Sequence, residues 1–270
     1  MTEDERIDAS EASQVEPAQR VLAPAWHTAL LIAGILAISI AGKLHMAGLH
    51  RGTNRLLTYG TTAALEVVML GWVAVGLRLS RTPLRSMLGS LERGVRGAVR
   101  DIAIAAAFWI GSLIVLSMLG LAWTGVETAV KVWHAPQGSR AGALVPRHEE
   151  SLRAIEQLAP ENGVEIASWI LLCCLAGTIE EVVFRGYLQR QFTAWAKGID
   201  AWGVVFSALL FGAAHGYQGA RNMFLLAAFG VLFSVLALLR RSLRAGIFAH
   251  SWHDLITGLI LTLLRAHHLV

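Results

Sequence analysis

Charge is scarce in this chain. Asp, Glu, Lys and Arg make up 16% of its 270 residues, against roughly 25% in an average soluble domain, whereas 55% are hydrophobic. That much apolar surface does not fit inside one aqueous core, which argues against an ordinary soluble enzyme. A mean hydropathy of +0.54 excludes a disordered or fibrous chain. Cysteine is nearly missing: the two present, Cys173 and Cys174, adjoin each other in an apolar run. They exclude a disulfide framework and a cysteine-rich zinc site. There is no internal repeat and no low-complexity tract. No basic-aromatic patch accompanies the net charge of +4, so the basic residues read as membrane topology and nucleic acid is excluded as a partner.

What is abundant is apolar sequence in lengths suited to a bilayer, whose 30 Å core takes roughly 20 helical residues. Runs at 26–42, 56–77, 102–123, 164–179, 201–217, 223–239 and 245–264 predict an all-α, multi-pass transmembrane bundle. It has seven spans, with room for an eighth if the long stretch 125–163 holds a re-entrant segment. Within that stretch Val126–Trp133 and Ser151–Leu158 look weakly amphipathic and suit the membrane surface. The first twenty residues carry six acidic and two basic side chains, the wrong sign for a secretory signal. The expected organisation is an acidic cytoplasmic tail over 1–22, N-terminal spans over 23–163 and a C-terminal membrane core over 164–270. With seven spans, the side holding the N-terminus, 78–101, 185–200 and 240–244 has 14 Lys and Arg against 9 on the other. The positive-inside rule then makes the N-terminus cytoplasmic. Arg78, Arg81, Arg85, Arg93, Arg96 and Arg100 are expected to meet anionic head groups. In a prokaryote the membrane would be the plasma membrane.

The first three spans are almost free of charge, with Glu66 the exception. The last four are interrupted by ionisable residues, which inside a bilayer are costly and point to function. Three clusters result. In Glu180-Glu181-Val-Val-Phe-Arg185, Glu181 and Arg185 are four apart and can pair on one helix face. Glu180, about 100° round the helix, is left to face something else, and a desolvated carboxylate there suits a general base. A solvated helix end is the bland alternative. Phe211 and His215 form the second cluster, where the alternative is a satisfied core histidine. The third is His250-Ser-Trp-His253-Asp254, in which His250 and Asp254 share a face and can hydrogen-bond, bind metal or merely pack. The clusters reach comparable depth only if the fourth helix runs on past Arg185 to about Trp195. Glu180 then lies roughly 22 Å, His215 roughly 21 Å and His250 roughly 14 Å from the cytoplasmic end.

Taken in this order, the clusters resemble the CPBP family of intramembrane proteases, which includes the CAAX prenyl endopeptidases and the bacterial Abi proteins. EExxxR corresponds to Glu180, Glu181 and Arg185, followed by Gly186. FxxxH corresponds to Phe211 and His215, and a His with Asn or Asp four later to His250 and Asp254. The resemblance covers roughly 164–260. It implies hydrolysis of a peptide bond in a lipidated or membrane-embedded substrate by an activated water, with no cofactor. Glu180 and His215 would activate the water, His250 and Asp254 would form the oxyanion site, and Glu181 with Arg185 would support them. The better-understood CAAX enzymes look to have Asn at the last position, which can donate, whereas an ionised Asp254 cannot. Either Asp254 is protonated, or it accepts from His250 and orients that ring, the favoured expectation.

Three other readings compete. Glu180, His215, His250 and His253 are typical zinc ligand types, although no H-E-x-x-H is present. A scaffold or immunity protein of the same fold would need no catalysis. A proton-coupled transporter usually shows pseudo-symmetric halves, whereas here the charged spans gather in one half. Glu66 is expected to line a cavity or accept from Thr61 or Thr62. Cys173 and Cys174 read as packing residues. Trp169 and Trp252 lie deep enough to border a cavity.

Overall fold

The apolar runs become seven helices in the computed structural model, which describes residues 21–48, 54–88, 95–136, 145–146 and 158–267. They are α1 (Ala25–Gly48), α2 (Arg55–Leu79), α3 (Val95–Trp133), α4 (Gly163–Trp195), α5 (Asp200–Ala214), α6 (Ala220–Arg240) and α7 (Arg244–Ala266). Six are long and apolar enough to cross a membrane. The chain is therefore an integral, multi-pass, all-α membrane protein. α5 has only 15 residues, roughly 22 Å of helix. It stops at Ala214, earlier than its hydropathy suggests, because the chain turns at His215 and leaves through Gly219 at φ 87°, a conformation glycine adopts without steric cost.

One expectation needs correcting. Val126–Trp133 is no separate surface segment but the last two turns of α3, whose 39 residues extend roughly 58 Å, beyond the hydrocarbon core. The fourth helix runs on to Trp195, as a meeting of the three clusters requires, so of residues 185–200 only 196–199 are a link, to α5. The acidic segment 1–20, Arg93 and most of Ser151–Leu158 lie outside the described residues.

Small residues let the helices of the C-terminal half approach closely, as membrane packing requires. A Cβ on Gly212 of α5 would stand 2.5 Å from the Met223 carbonyl oxygen of α6, and one on Gly230 of α6 would stand 2.9 Å from Cα of Ala208. On α4, a Cβ at Gly177 would lie 2.5 Å from Oγ of Ser251 in α7. Trp169 packs over Gly258 of α7 and against Tyr59 of α2, with ring centroids of the aromatic pair 5.6 Å apart.

Ion clusters tie the two ends of the bundle. At one end Asp101 receives Arg240 at 3.3 Å and Arg244 at 3.2 Å, joining α3 to the α6–α7 corner. At the other, Glu161 receives Arg55 and Arg265, joining α2 and α7 just ahead of α4. The clusters place residues 101 and 240–244 on one side and 55, 161 and 265 on the other. That is the alternation the seven-helix topology requires.

Candidate functional site

The first motif sits where α4 changes its winding. Residues Glu181–Leu188 form a π-helical segment, in which each backbone bond spans five residues; such turns are rare and gather at functional sites. The Gln189 N–H donates to the Phe184 carbonyl, and Ser207 of α5 donates a second bond to that oxygen at 2.7 Å. Gly186 is needed on the outer wall, since a Cβ there would stand 3.1 Å from Met87 and 3.2 Å from Leu243. The same wide segment anchors α1. The Tyr187 hydroxyl bonds to Thr28 at 2.8 Å and His27 at 3.2 Å. Just beyond it, Gln191 accepts from the Leu22 N–H at 2.7 Å and donates to the Ala23 carbonyl at 2.7 Å.

Inside this frame Glu181 and Arg185 form the expected i, i+4 pair. Nη1 lies 3.0 Å from Oε1, and both side chains are 1% exposed. The guanidinium lies over the ring of Phe211, 4.3 Å from its centroid, with Phe233 at 5.4 Å, a desolvated cation–π arrangement. Phe211 of the second motif therefore connects the first motif to the third, because its ring also meets His250 edge-on at 5.9 Å.

His250, 3% exposed, joins both glutamates. Nδ1–H donates to Glu181 Oε1 at 3.0 Å, while Nε2 faces Glu180 Oε2 at 3.6 Å and Asp254 Oδ2 at 3.8 Å. Two residues adjacent in sequence reach one imidazole because its nitrogens point to opposite sides. Gly246 makes room, as a Cβ there would crowd Glu181 Oε2 at 3.1 Å. The nearer acceptor for His250 is Glu181, with Asp254 farther out on the side of Nε2 and its side chain 32% exposed.

His215 stands apart from this group. It closes α5, and its Nδ1 bonds to the Phe211 carbonyl at 2.9 Å. A carbonyl only accepts, so Nδ1 carries a proton, and in the neutral ring the lone pair is then on Nε2. Its ring lies 4.9 Å from Phe211, so Phe211 adjoins both imidazoles, but among the described residues no hydrogen bond or ion pair joins His215 to Glu180. Ser39 of α1 holds the turn in place: its hydroxyl donates to the Ala213 carbonyl at 2.7 Å and accepts from the Gly216 N–H at 3.1 Å.

Measured from the membrane end marked by Arg190 and Leu243, Glu180 lies about 15 Å deep and His250 about 10 Å. Arg190 reaches the Ser86 carbonyl and the Leu243 N–H the Leu88 carbonyl, so α4 overshoots that level before ending at Trp195. The sequence-based depth of 22 Å for Glu180 counted this overshoot.

Sequence reasoning missed Phe229 and Phe233, whose rings pack against His250 at 5.3 and 5.6 Å. Their i, i+4 spacing on α6 reads as ordinary core. It also undervalued Glu66, which lies in hydrogen-bonding reach of Glu180 rather than against Thr61, whose hydroxyl donates to the Thr58 carbonyl. Trp169 is buried away from the cluster beside Tyr59 and Cys173, and Cys174 is exposed. Among the described residues no three His, Cys, Asp or Glu side chains are disposed to ligate one ion.

A polytopic helical bundle that buries carboxylates and imidazoles at its centre belongs to the class of membrane proteins with an intramembrane polar site. Residues 162–256, spanning all three motifs, match the family model described as type II CAAX prenyl endopeptidase Rce1-like. The match covers 95 of the 270 residues and makes this C-terminal segment similar to the CAAX prenyl endopeptidases. No curated protein and no solved structure matches the chain.

Since Glu181 is the nearer acceptor for His250, Asp254→Asn is expected to keep or raise activity. Asparagine adds an N–H donor where the carboxylate has none. Cleavage rates of the variant and the parent protein decide this, and a complete loss would refute it.

Proposed function

We propose that the protein is an intramembrane endopeptidase that hydrolyses a peptide bond of a lipidated or membrane-embedded substrate through a water activated by Glu180. The observation that carries this reading is the unequal commitment of the two adjacent glutamates. Glu181 is held by Arg185 at 3.0 Å and His250 at 3.0 Å. Glu180 has a buried Oε2 without a hydrogen-bond partner among the described residues, 3.6 Å from the His250 ring. A carboxylate already holding two cations is a poor base, and its neighbour is available.

In this reading Glu180 takes the proton of the attacking water, and Nε2 of His215 accepts from that water on its other side. The hydroxide adds to the scissile carbonyl. His250, with Nδ1–H committed to Glu181, donates from Nε2 to the oxyanion as charge develops there. Glu180 then returns its proton to the leaving amine. No metal takes part. The apolar bundle suits a substrate that is itself lipid-anchored, and the family description, which names prenyl endopeptidases, supports a prenylated C-terminal peptide as the first to try. The Lys and Arg excess supports a cytoplasmic N-terminus, and with it a cytoplasmic Arg190 end of the site.

The test is cleavage of farnesylated CAAX-type peptides, and of unprenylated membrane-spanning peptides, by the detergent-purified full chain with excess chelator. Cleavage that survives metal removal is expected. Activity restored only by zinc would overturn the water-and-glutamate mechanism. Absence of cleavage across both substrate sets would favour a non-catalytic scaffold.

A further inference from the structure

α2 lies outside the segment that matches the family model, yet it delivers a carboxyl to the site. Tyr59, Glu66 and Val73 recur at seven-residue spacing and are all buried, so they form the seam that α2 turns toward the bundle. An apolar side chain would complete that seam. Glu66 is there instead, 6% exposed, and among the described residues no cation pairs with it. α2 packs directly against α4, and the carboxyls Glu66 meets there are those of Glu180, within hydrogen-bonding reach, and of Asp254 farther off. Glu66 and Glu180 each have an Oε2 that is buried without a hydrogen-bond partner among the described residues.

Two carboxylates cannot hydrogen-bond to each other. One must carry a proton and act as O–H donor while the other accepts. Replacing a buried polar group by an apolar one of similar shape is often neutral or stabilising. Stability alone therefore gives no reason for a carboxyl at position 66, and an ionisable group at this depth is a pointer to function.

We propose that Glu66 is a positioning residue for the hydrolysis, a protonated carboxyl on α2 whose O–H bond to Glu180 aims that carboxylate at the water. The inference rests on the reading of Glu180 as the base. Through the cycle Glu66 keeps its proton. Glu180 accepts one from water and passes it to the leaving amine, so the proton count balances without Glu66 gaining or losing one. The bond from Glu66 holds one Glu180 oxygen, which leaves the other to face His250 and the water.

The test compares Glu66→Gln, which retains an N–H donor, with Glu66→Met, which does not, in the detergent-purified full chain cleaving a farnesylated peptide. Glu66→Met is expected to lower kcat about 10- to 100-fold, the worth of one hydrogen bond to a charged group. KM should stay nearly constant and the unfolding temperature should hold or rise. Glu66→Gln should recover most of kcat. Infrared spectra supply a readout independent of turnover: a protonated-carboxyl band in the parent protein should vanish in Glu66→Gln. Full activity in Glu66→Met, equal losses in both variants, or an unchanged band in Glu66→Gln would overturn the proposal. Glu180→Gln in the same assay separates the two ideas, since activity there would remove the base itself whatever position 66 does.

Discussion

Glu180→Gln is expected to reduce peptide cleavage by about 10²–10⁴-fold, the usual contribution of a positioned general base, while leaving the fold intact. Gln has the shape of Glu but cannot take a proton from water. The fold should tolerate it because Glu180 carries none of the bundle's buried ion pairing with Arg185: that load falls on Glu181, 3.0 Å from the guanidinium. The control is Glu181→Gln, which should lower the unfolding temperature and reduce activity only as far as His250 loses its orientation. Single-turnover cleavage and thermal unfolding of each purified variant distinguish these outcomes. An active Glu180→Gln beside a stable, inactive Glu181→Gln would exchange the two roles.

Arg185→Met is expected to destabilise the protein by about 3–5 kcal/mol, the cost of breaking a buried pair by removing one partner. The guanidinium is 1% exposed and pairs with Glu181, and its flat face rests on Phe211. Without it, Glu181 is left as a buried anion with only His250 at hand. The double variant Glu181→Gln, Arg185→Met should recover much of the loss, because two neutral side chains of similar volume leave no uncompensated charge. Arg185→Lys should recover less, since an ammonium cannot stack on Phe211 as the planar guanidinium does. Chemical denaturation in detergent measures all three. A single variant as stable as the parent protein would show that Arg185 does not balance Glu181.

Contacts between residues one helical turn apart are legible in the sequence, and contacts between helices are not. Glu181 and Arg185 are four apart in a helical run, and an i, i+4 pair is a local property, so their contact can be read directly. The long fourth helix is also legible, because the three motifs can meet in no other way. The partner of His250 is not. Asp254, one turn along its own helix, is the local candidate. Glu181 lies 69 residues away in sequence, and it wins because the close approach of α4 and α7 at Gly177 and Gly246 brings it nearer than the neighbour on the same helix. In the sequence Glu66 is visible only as a lone carboxylate in an apolar run. Its seven-residue spacing from Tyr59 and Val73 marks a buried face, but not what that face meets.

Sequence by itself determined the class of fold and which ionisable residues the apolar helices carry. Apolar length requires bilayer-spanning helices, since backbone polar groups in hydrocarbon must be satisfied within the helix, and the ionisable residues in those helices are few enough to enumerate. Only the tertiary structure decided how they are shared out: Glu181 to Arg185 and His250, Glu180 to the side of the imidazole that its second nitrogen faces, His215 to its own helix end. Helix packing sets those partnerships. It depends on side-chain volumes and glycine contacts between segments far apart in the chain, which no local spacing records.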